Sequence, residues 1–131
     1  MIEDFYDQLA PYYKWIYPDW EASLVRQSGQ LDALIREYVQ GQAHTILDAA
    51  CGIGTQSLGL AALGYTVTAS DISLGEIRLA QAEAERRGLS IEFAQADMRQ
   101  VWQVFGRSFD AVIACDNALP TCSVMATSSW P

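Results

Sequence analysis

The spacing of apolar positions along the chain changes at about residue 42. Before that point they recur at helical intervals in two stretches, the first ending or kinking at Pro18 and the second reaching Gly41. Beyond it, short apolar runs alternate with helical segments, which predicts strands over about 45–48, 65–69, 91–95 and 109–115 and helices over 56–63 and 74–87. This alternation is typical of an α/β fold with a parallel sheet, whose ligand lies at the carboxyl ends of the strands.

The N-terminal stretch is rich in aromatic residues at helical spacing. For Trp15, Trp20 and Tyr38 this spacing predicts packing in the core. Arg26 lies near the same apolar stripe, and its planar guanidinium could reach a ligand carboxylate. From its position alone, Arg26 is an ordinary solvated surface residue.

A glycine turn follows the first predicted strand. Gly52 and Gly54 lack a Cβ where the chain reverses, so backbone N–H groups at the start of the next helix can approach a ligand closely. Asp48 ends the strand, and its carboxylate would repel a pyrophosphate but attract a cationic or hydroxyl-rich ligand. The turn therefore favours a nucleoside-like ligand without phosphates.

Acidic residues also follow the later strands. Asp71 lies 17 residues beyond Gly54 at the tip of the second strand, where a carboxylate can accept hydrogen bonds from both hydroxyls of a ribose. After the third strand, the Asp97 carboxylate could accept from an exocyclic amine and the Met98 thioether could pack on an aromatic ring. Asp116-Asn117 follows the fourth. A single aspartate at a strand end is often a turn former, but the spacing of these groups favours a ligand site.

Composition narrows the choice of partner and compartment. The net charge is −8, with 8 Lys and Arg against 16 Asp and Glu, and the pair Arg86-Arg87 is the largest basic cluster, so nucleic acid is not expected as a partner. Three cysteines without metal-like spacing and one histidine predict no metal site and favour a reducing cytoplasm. The acidic start, followed by no long apolar run, argues against a signal peptide or a membrane span.

Four motifs together resemble the first four motifs of class I S-adenosylmethionine-dependent methyltransferases: Ile46–Gly54, Val67–Asp71, Asp97-Met98 and Phe109–Ile113. The variant Asp-Ala-Ala-Cys-Gly-x-Gly, with the Tyr- and Trp-rich N-terminal segment, is most similar to the glycine and sarcosine N-methyltransferase-like branch. The resemblance covers residues 1 to about 120. It implies a Rossmann-like parallel sheet of strand order 3-2-1-4 behind N-terminal helices, S-adenosylmethionine as cofactor, and a small molecule such as an amine as methyl acceptor.

The resemblance also implies a set of cofactor-binding residues: Tyr13, Arg26, Asp48, Ala50, Cys51, Gly52, Gly54, Asp71, Ile72, Asp97, Met98 and Asn117. Residues 50–52 would lie against the methionine moiety, and Gly54 would admit the helix start. Asp71 would hold the ribose hydroxyls. Ile72, Asp97 and Met98 would surround the adenine, while Tyr13 and Arg26 would close over the cofactor and bind its carboxylate. No catalytic acid or base is implied.

The last eleven residues depart from the family pattern. Residues 121–131 carry no charge and no clear periodicity, whereas the family domain continues through three more strands. We therefore expect residues 1–120 to form the N-terminal part of a methyltransferase domain, with a helical segment 1–41 and cofactor-binding units 42–120. Residues 121–131 would be an atypical tail, which a truncated or frameshifted product explains better than a natural short variant. The fourth strand would then be an apolar edge prone to self-association. Methyl transfer by the chain alone would be weak, because an unpositioned acceptor forgoes the benefit of alignment.

Two other functions fit parts of the sequence. A binding or interaction module could retain the nucleoside pocket without chemistry. A nicotinamide-dependent oxidoreductase fits less well, because Ser57 stands where the third glycine of Gly-x-Gly-x-x-Gly belongs and Asp48 is unfavourable beside pyrophosphate.

Overall fold

The computed structural model describes residues 2–39, 42–115 and 123–125, with side chains described from Asp19 onward. Helices and strands alternate in the order α1 (Ile2–Tyr38), β1 (Thr45–Asp48), α2 (Thr55–Ala62), β2 (Thr66–Asp71), α3 (Leu74–Arg86), β3 (Glu92–Gln95), α4 (Val101–Phe105), β4 (Ala111–Ala114) and β5 (Ser123–Met125). A short 3-10 turn at Met98–Gln100 leads into α4. Among the described residues, no helix combines the length and the apolar character that crossing a membrane requires.

The strands form one mixed sheet of order β3-β2-β1-β4-β5. The first four are parallel, which confirms the predicted α/β fold and the order 3-2-1-4. Strand β5 pairs antiparallel with β4, for example through Ile113 and Val124. The prediction that β4 forms an exposed edge is therefore wrong, because three residues of the presumed tail satisfy backbone groups of that strand. Self-association through an exposed β4 loses its structural basis.

Both faces of the sheet are covered in its centre. On one face Ile46 and Ile113 pack against Leu31 and Ile35 of α1. On the other, Leu47 and Val112 belong to a second cluster with Val101 of α4. Burial on both faces explains why these strands read as nearly continuous apolar runs.

The N-terminal region is one helix rather than the two predicted segments. Helix α1 continues through Pro18, since a proline inside a helix removes one hydrogen bond without necessarily ending the helix. Leu24 of the predicted stripe is buried, but Tyr38 is 52% exposed, so the prediction that Tyr38 packs in the core is wrong. Trp15 lies outside the described side chains.

The predicted helix ends are confirmed around α2 and α3. The Ser73 hydroxyl accepts a hydrogen bond from the Glu76 N–H at 3.3 Å, as expected for the cap of α3. Gly64 follows α2 with φ +102°, in the left-handed region that terminates many helices. These local signals bound α2 and α3, which precede and follow β2 along the chain.

Helices α1 and α2 approach each other closely at Gly59. A Cβ there would lie 2.4 Å from Ser28 Cβ and 3.0 Å from the Leu24 carbonyl oxygen. Gly59→Ala is therefore expected to lower the free energy of unfolding by about 1–3 kcal/mol, measured by urea denaturation. Gly29→Ala is the control, because its Cβ would meet nothing within 4 Å. It is expected to stabilise α1 by about 0.5–1 kcal/mol; equal losses in both variants would contradict this packing.

Candidate functional site

A cavity of about 370 Å³ lies at the carboxyl ends of the parallel strands. This is the edge of the sheet where the sequence predicts a ligand. The described residues that line the cavity are Ala50, Cys51, Gly52, Ile53, Thr55, Gln56, Asp71, Glu76 and Cys115. The structure therefore brings together the four predicted residues Ala50, Cys51, Gly52 and Asp71, which the chain contributes from two neighbouring strand ends.

The two glycines of the turn have different tasks. Gly52 has φ +54°, and a Cβ added there would meet nothing within 4 Å, so its α-carbon faces open space beside the cavity. Gly54 has φ +96°, and a Cβ there would lie 3.0 Å from Ala80 Cβ of α3. Gly52 thus leaves room for a ligand, and Gly54 lets α2 begin against α3, as predicted.

Asp71 organises the turn from the tip of β2. One carboxylate oxygen accepts from the Gly52 N–H at 2.9 Å, and the other accepts from the Ser73 N–H at 2.8 Å. Each carboxylate oxygen has a further lone pair, so Asp71 can also accept hydrogen bonds from ligand hydroxyls. The carboxylate therefore links the glycine turn, the start of α3 and the cavity.

Asp48 lies beneath the turn rather than in the cavity wall. Its side chain is fully buried, and Oδ2 accepts a hydrogen bond of 2.6 Å from the hydroxyl of Ser57, which is also fully buried. No donor among the described residues meets hydrogen-bond geometry at Oδ1. The prediction that Asp48 faces the ligand is therefore corrected: its carboxylate supports the turn from below.

The environment of Asp48 disfavours its charge. Burial raises the pKa to about 6, and the nearby Asp71 raises it, whereas the Ser57 hydroxyl and the Ala50 N–H lower it. Because the folded-state pKa lies above the unfolded value, the associated stabilisation is present below about pH 4 and is lost as the pH rises through 6. At neutral pH the raised pKa lowers the free energy of unfolding by about 3 kcal/mol. A buried carboxylate with this cost is a candidate for a functional role.

Among the described residues, two hydrogen bonds join helix α1 to the start of α2. Trp20 Nε1 donates to the Thr55 hydroxyl at 2.9 Å, and Gln56 Nε2 donates to Gln27 Oε1 at 2.6 Å. Thr55 and Gln56 line the cavity, yet the sequence did not indicate them, because their partners lie 35 and 29 positions away. Their position in the first turn after Gly54 is the signal that could have identified them.

Three other predicted cofactor-binding residues are not placed at the cavity by the described structure. Arg26 is exposed, rotated by about 200° around α1 from the buried Leu24, and donates to the Ser23 hydroxyl at 3.5 Å. The prediction that Arg26 binds the cofactor carboxylate is therefore not supported by its position. The Tyr13 side chain and Asn117 lie outside the described residues.

The predicted adenine contacts lie near the same strand ends but outside the cavity wall. Ile72 is 68% exposed and Met98 is 53% exposed, which leaves both available to an aromatic ring. The Asp97 carboxylate accepts from the Arg99 side chain at 2.6 and 3.0 Å and from its N–H at 2.9 Å. The hydrogen bonds from Arg99 lower the Asp97 pKa to about 2. Contact of these residues with adenine stays a prediction.

Comparisons with known proteins agree with the motifs. A family model described as a methyltransferase domain matches residues 46–128. A protein of Geobacillus sp. (strain WCH70) named as a methyltransferase is 36% identical over 117 residues, which cover 86% of this chain and 42% of that protein. The glycine/sarcosine N-methyltransferase of Parasynechococcus marenigrum (strain WH8102) is 32% identical over 118 residues, which cover 89% of this chain and 39% of that protein.

A solved structure shares the fold. An S-adenosylmethionine-dependent methyltransferase from Clostridium acetobutylicum ATCC 824 superposes with a TM-score of 0.63 at 22% identity, covering 86% of this chain and 44% of that one. At this identity the likeness shows the fold alone. The chain spans less than half the length of these relatives.

The chain therefore belongs to the S-adenosylmethionine-dependent methyltransferase domain family with a Rossmann-like fold, which confirms the resemblance seen in the motifs. The cofactor of this family is S-adenosylmethionine. The site fits it in two respects: Gly52 leaves open space where a Cβ would intrude, and the Asp71 carboxylate, at the cavity wall, retains capacity for ribose hydroxyls. The family match extends to residue 128, past the domain boundary expected at residue 120.

Proposed function

We propose that this chain binds S-adenosylmethionine in the cavity beside Gly52 and Asp71 and serves the methylation of a small molecule, with an amine as the acceptor class. The observation that carries the proposal is the Asp71 carboxylate, which stands at the cavity wall while it holds the N–H groups of Gly52 and Ser73. A cofactor bound there would contact the glycine turn, and Asp71, the proposed ribose-binding residue, would also hold that turn in its conformation.

Methyl transfer from S-adenosylmethionine requires little acid or base catalysis by the chain. S-adenosylmethionine supplies a methyl group on a cationic sulfur, so the group that leaves is neutral. The contribution of this chain is then to bind and orient, and alignment can be worth roughly 7–11 kcal/mol of barrier. Gly52 and Asp71 carry the binding part of that task. We assign no residue as general acid or base.

Charge and similarity support an amine as acceptor. The net charge of −8 and the Glu76 carboxylate at the cavity favour a cationic or neutral partner over a polyanion. The similar Parasynechococcus protein is named as an N-methyltransferase of glycine and sarcosine. A small amine is therefore the first acceptor to test, and a phenolic hydroxyl is the competing class.

Calorimetric titration tests the cofactor assignment. S-adenosylhomocysteine, the demethylated product, is expected to bind the purified chain, whereas NAD is not, because the buried Asp48 charge below the turn disfavours a pyrophosphate. Binding of NAD with no binding of S-adenosylhomocysteine would replace the proposal with an oxidoreductase.

Labelled-methyl transfer tests the acceptor. Glycine, sarcosine and other small amines are offered beside a catechol, with a protein sample shown to be monodisperse by light scattering. Transfer to an amine supports the proposal, and transfer to the catechol alone contradicts the acceptor class. Tight binding of S-adenosylhomocysteine with weak transfer to an amine agrees with the expectation for this chain alone, whereas tight binding with no transfer to any acceptor favours the non-catalytic binding module.

A further inference from the structure

A buried pair of polar side chains joins β1 to α2 directly below the cavity wall. The Ser57 hydroxyl donates to Asp48 Oδ2 at 2.6 Å, and neither side chain is accessible to solvent. Asp48 is separated by a single residue from Ala50, the first residue of the wall. Oδ1 meets no donor with hydrogen-bond geometry among the described residues, so only one of the two carboxylate oxygens accepts a hydrogen bond.

The pair is not explained by packing. A buried carboxylate with one unpartnered oxygen destabilises a fold, and an apolar side chain would serve β1 better. A ligand that carries positive charge above the wall would offset part of that cost, because charges interact strongly where water is excluded. The Ser57 hydroxyl and the Ala50 N–H thus compensate this negative charge only in part.

We propose that Ser57 is a positioning residue that keeps Asp48 ionised beneath the turn, and that this buried charge makes the cavity prefer the cationic sulfur of S-adenosylmethionine over the neutral sulfur of its product. The proposal rests on the proposed function for the identity of the ligand. It adds a reason for product release: loss of the methyl group removes the charge that Asp48 attracts.

Other titratable groups face Asp48 or the same wall. Asp71 comes from β2, Cys51 from the turn and Glu76 from α3. Burial raises the pKa of the Cys51 thiol, which therefore stays neutral at physiological pH. Asp71 and Glu76 line the cavity, so they add to the preference for a cation. They are distinguished from Asp48 by a variant that neutralises Asp48 alone.

Comparing the two ligands isolates the charge on sulfur. S-adenosylmethionine and S-adenosylhomocysteine share the adenosine, amino and carboxylate groups, so the ratio of their dissociation constants cancels the titration of those groups. In a site with an effective dielectric constant of about 20, we expect ionised Asp48 to change that ratio by roughly tenfold. Since the pKa of Asp48 is about 6, the preference for S-adenosylmethionine should grow as the pH rises through 6.

The test is calorimetric titration of both ligands between about pH 5 and pH 8. For the unmodified chain, the ratio of dissociation constants is expected to change by roughly tenfold across this range in favour of S-adenosylmethionine. Asp48→Asn, which keeps the shape and an acceptor for Ser57, is expected to flatten the profile. A pH-independent ratio in the unmodified chain overturns the proposal without any variant.

The role of Ser57 is tested by a matched pair of variants. Ser57→Ala removes the donor and is expected to move the midpoint of the profile to higher pH, whereas Ser57→Thr keeps the hydroxyl and should retain the original midpoint. Circular dichroism checks the fold of each variant. An unshifted midpoint in folded Ser57→Ala refutes the positioning role.

The outcomes separate this proposal from the proposed function. If both ligands bind but their ratio does not depend on pH, the cofactor assignment stands and the charge preference fails. If neither ligand binds at any pH, the cofactor assignment and the present proposal fail together.

Discussion

Gly52→Val is expected to abolish binding of S-adenosylhomocysteine, with a loss of more than about 100-fold in affinity. A Cβ at this position would point into the open space beside the cavity, and two further methyl groups would fill it. A β-branched side chain also tolerates φ +54° poorly, so the turn itself would shift. The measurement is calorimetric titration, with circular dichroism to check the fold.

Gly106→Val separates the two causes of lost affinity, which are filled ligand space and backbone strain. Gly106 has φ +60°, similar to Gly52, and an added Cβ meets nothing within 4 Å, but it ends α4 away from the cavity wall. The control is expected to lose stability from backbone strain while it retains affinity. Normal binding by Gly52→Val, or equal losses of affinity in both variants, would place the ligand elsewhere.

Asp71→Ala is expected to weaken binding of S-adenosylhomocysteine at least tenfold and to lower the free energy of unfolding by about 1–3 kcal/mol. The stability loss follows because the N–H groups of Gly52 and Ser73 lose their acceptor. The loss of affinity follows because the ribose hydroxyls lose theirs and the turn loses its support. Calorimetry and urea denaturation measure the two effects separately.

Asp97→Ala provides the comparison. Its carboxylate is held by Arg99 outside the cavity wall and does not hold the glycine turn, so losing its predicted adenine contact is expected to weaken binding less than Asp71→Ala does. A larger loss in Asp97→Ala than in Asp71→Ala would make Asp97, rather than Asp71, the main adenosine contact. Unchanged affinity in Asp71→Ala would remove the ribose assignment.

Local patterns were sufficient for the elements that carry the site. The alternation of apolar runs with helical segments predicts four parallel strands, and the structure contains them in the order expected. Ser73 caps the start of α3 and Gly64 ends α2 through interactions within a few residues. The folded chain therefore keeps the helix ends that these residues predict. The glycines of the turn likewise indicate a backbone conformation with positive φ, which Gly52 and Gly54 adopt.

Other features depend on residues far apart in the chain. Strand β5 has only three residues and no periodicity of its own, and it forms because β4 offers unpaired backbone groups. Pro18 signals the end or a kink of the first helical segment, yet α1 continues through it to Tyr38. No local pattern indicates that Trp20 meets Thr55 across 35 positions.

By itself the sequence determined the fold class, the family and the edge of the sheet where a ligand is predicted, because spacing and turn chemistry are local properties. Only the tertiary structure decided which side chains line the cavity at that edge. It placed Asp71 at the cavity wall but Asp48 below it, although both end neighbouring strands. The physical reason is packing: α2 folds back over β1 and brings Ser57 onto the Asp48 carboxylate, and no pattern along the chain records that contact.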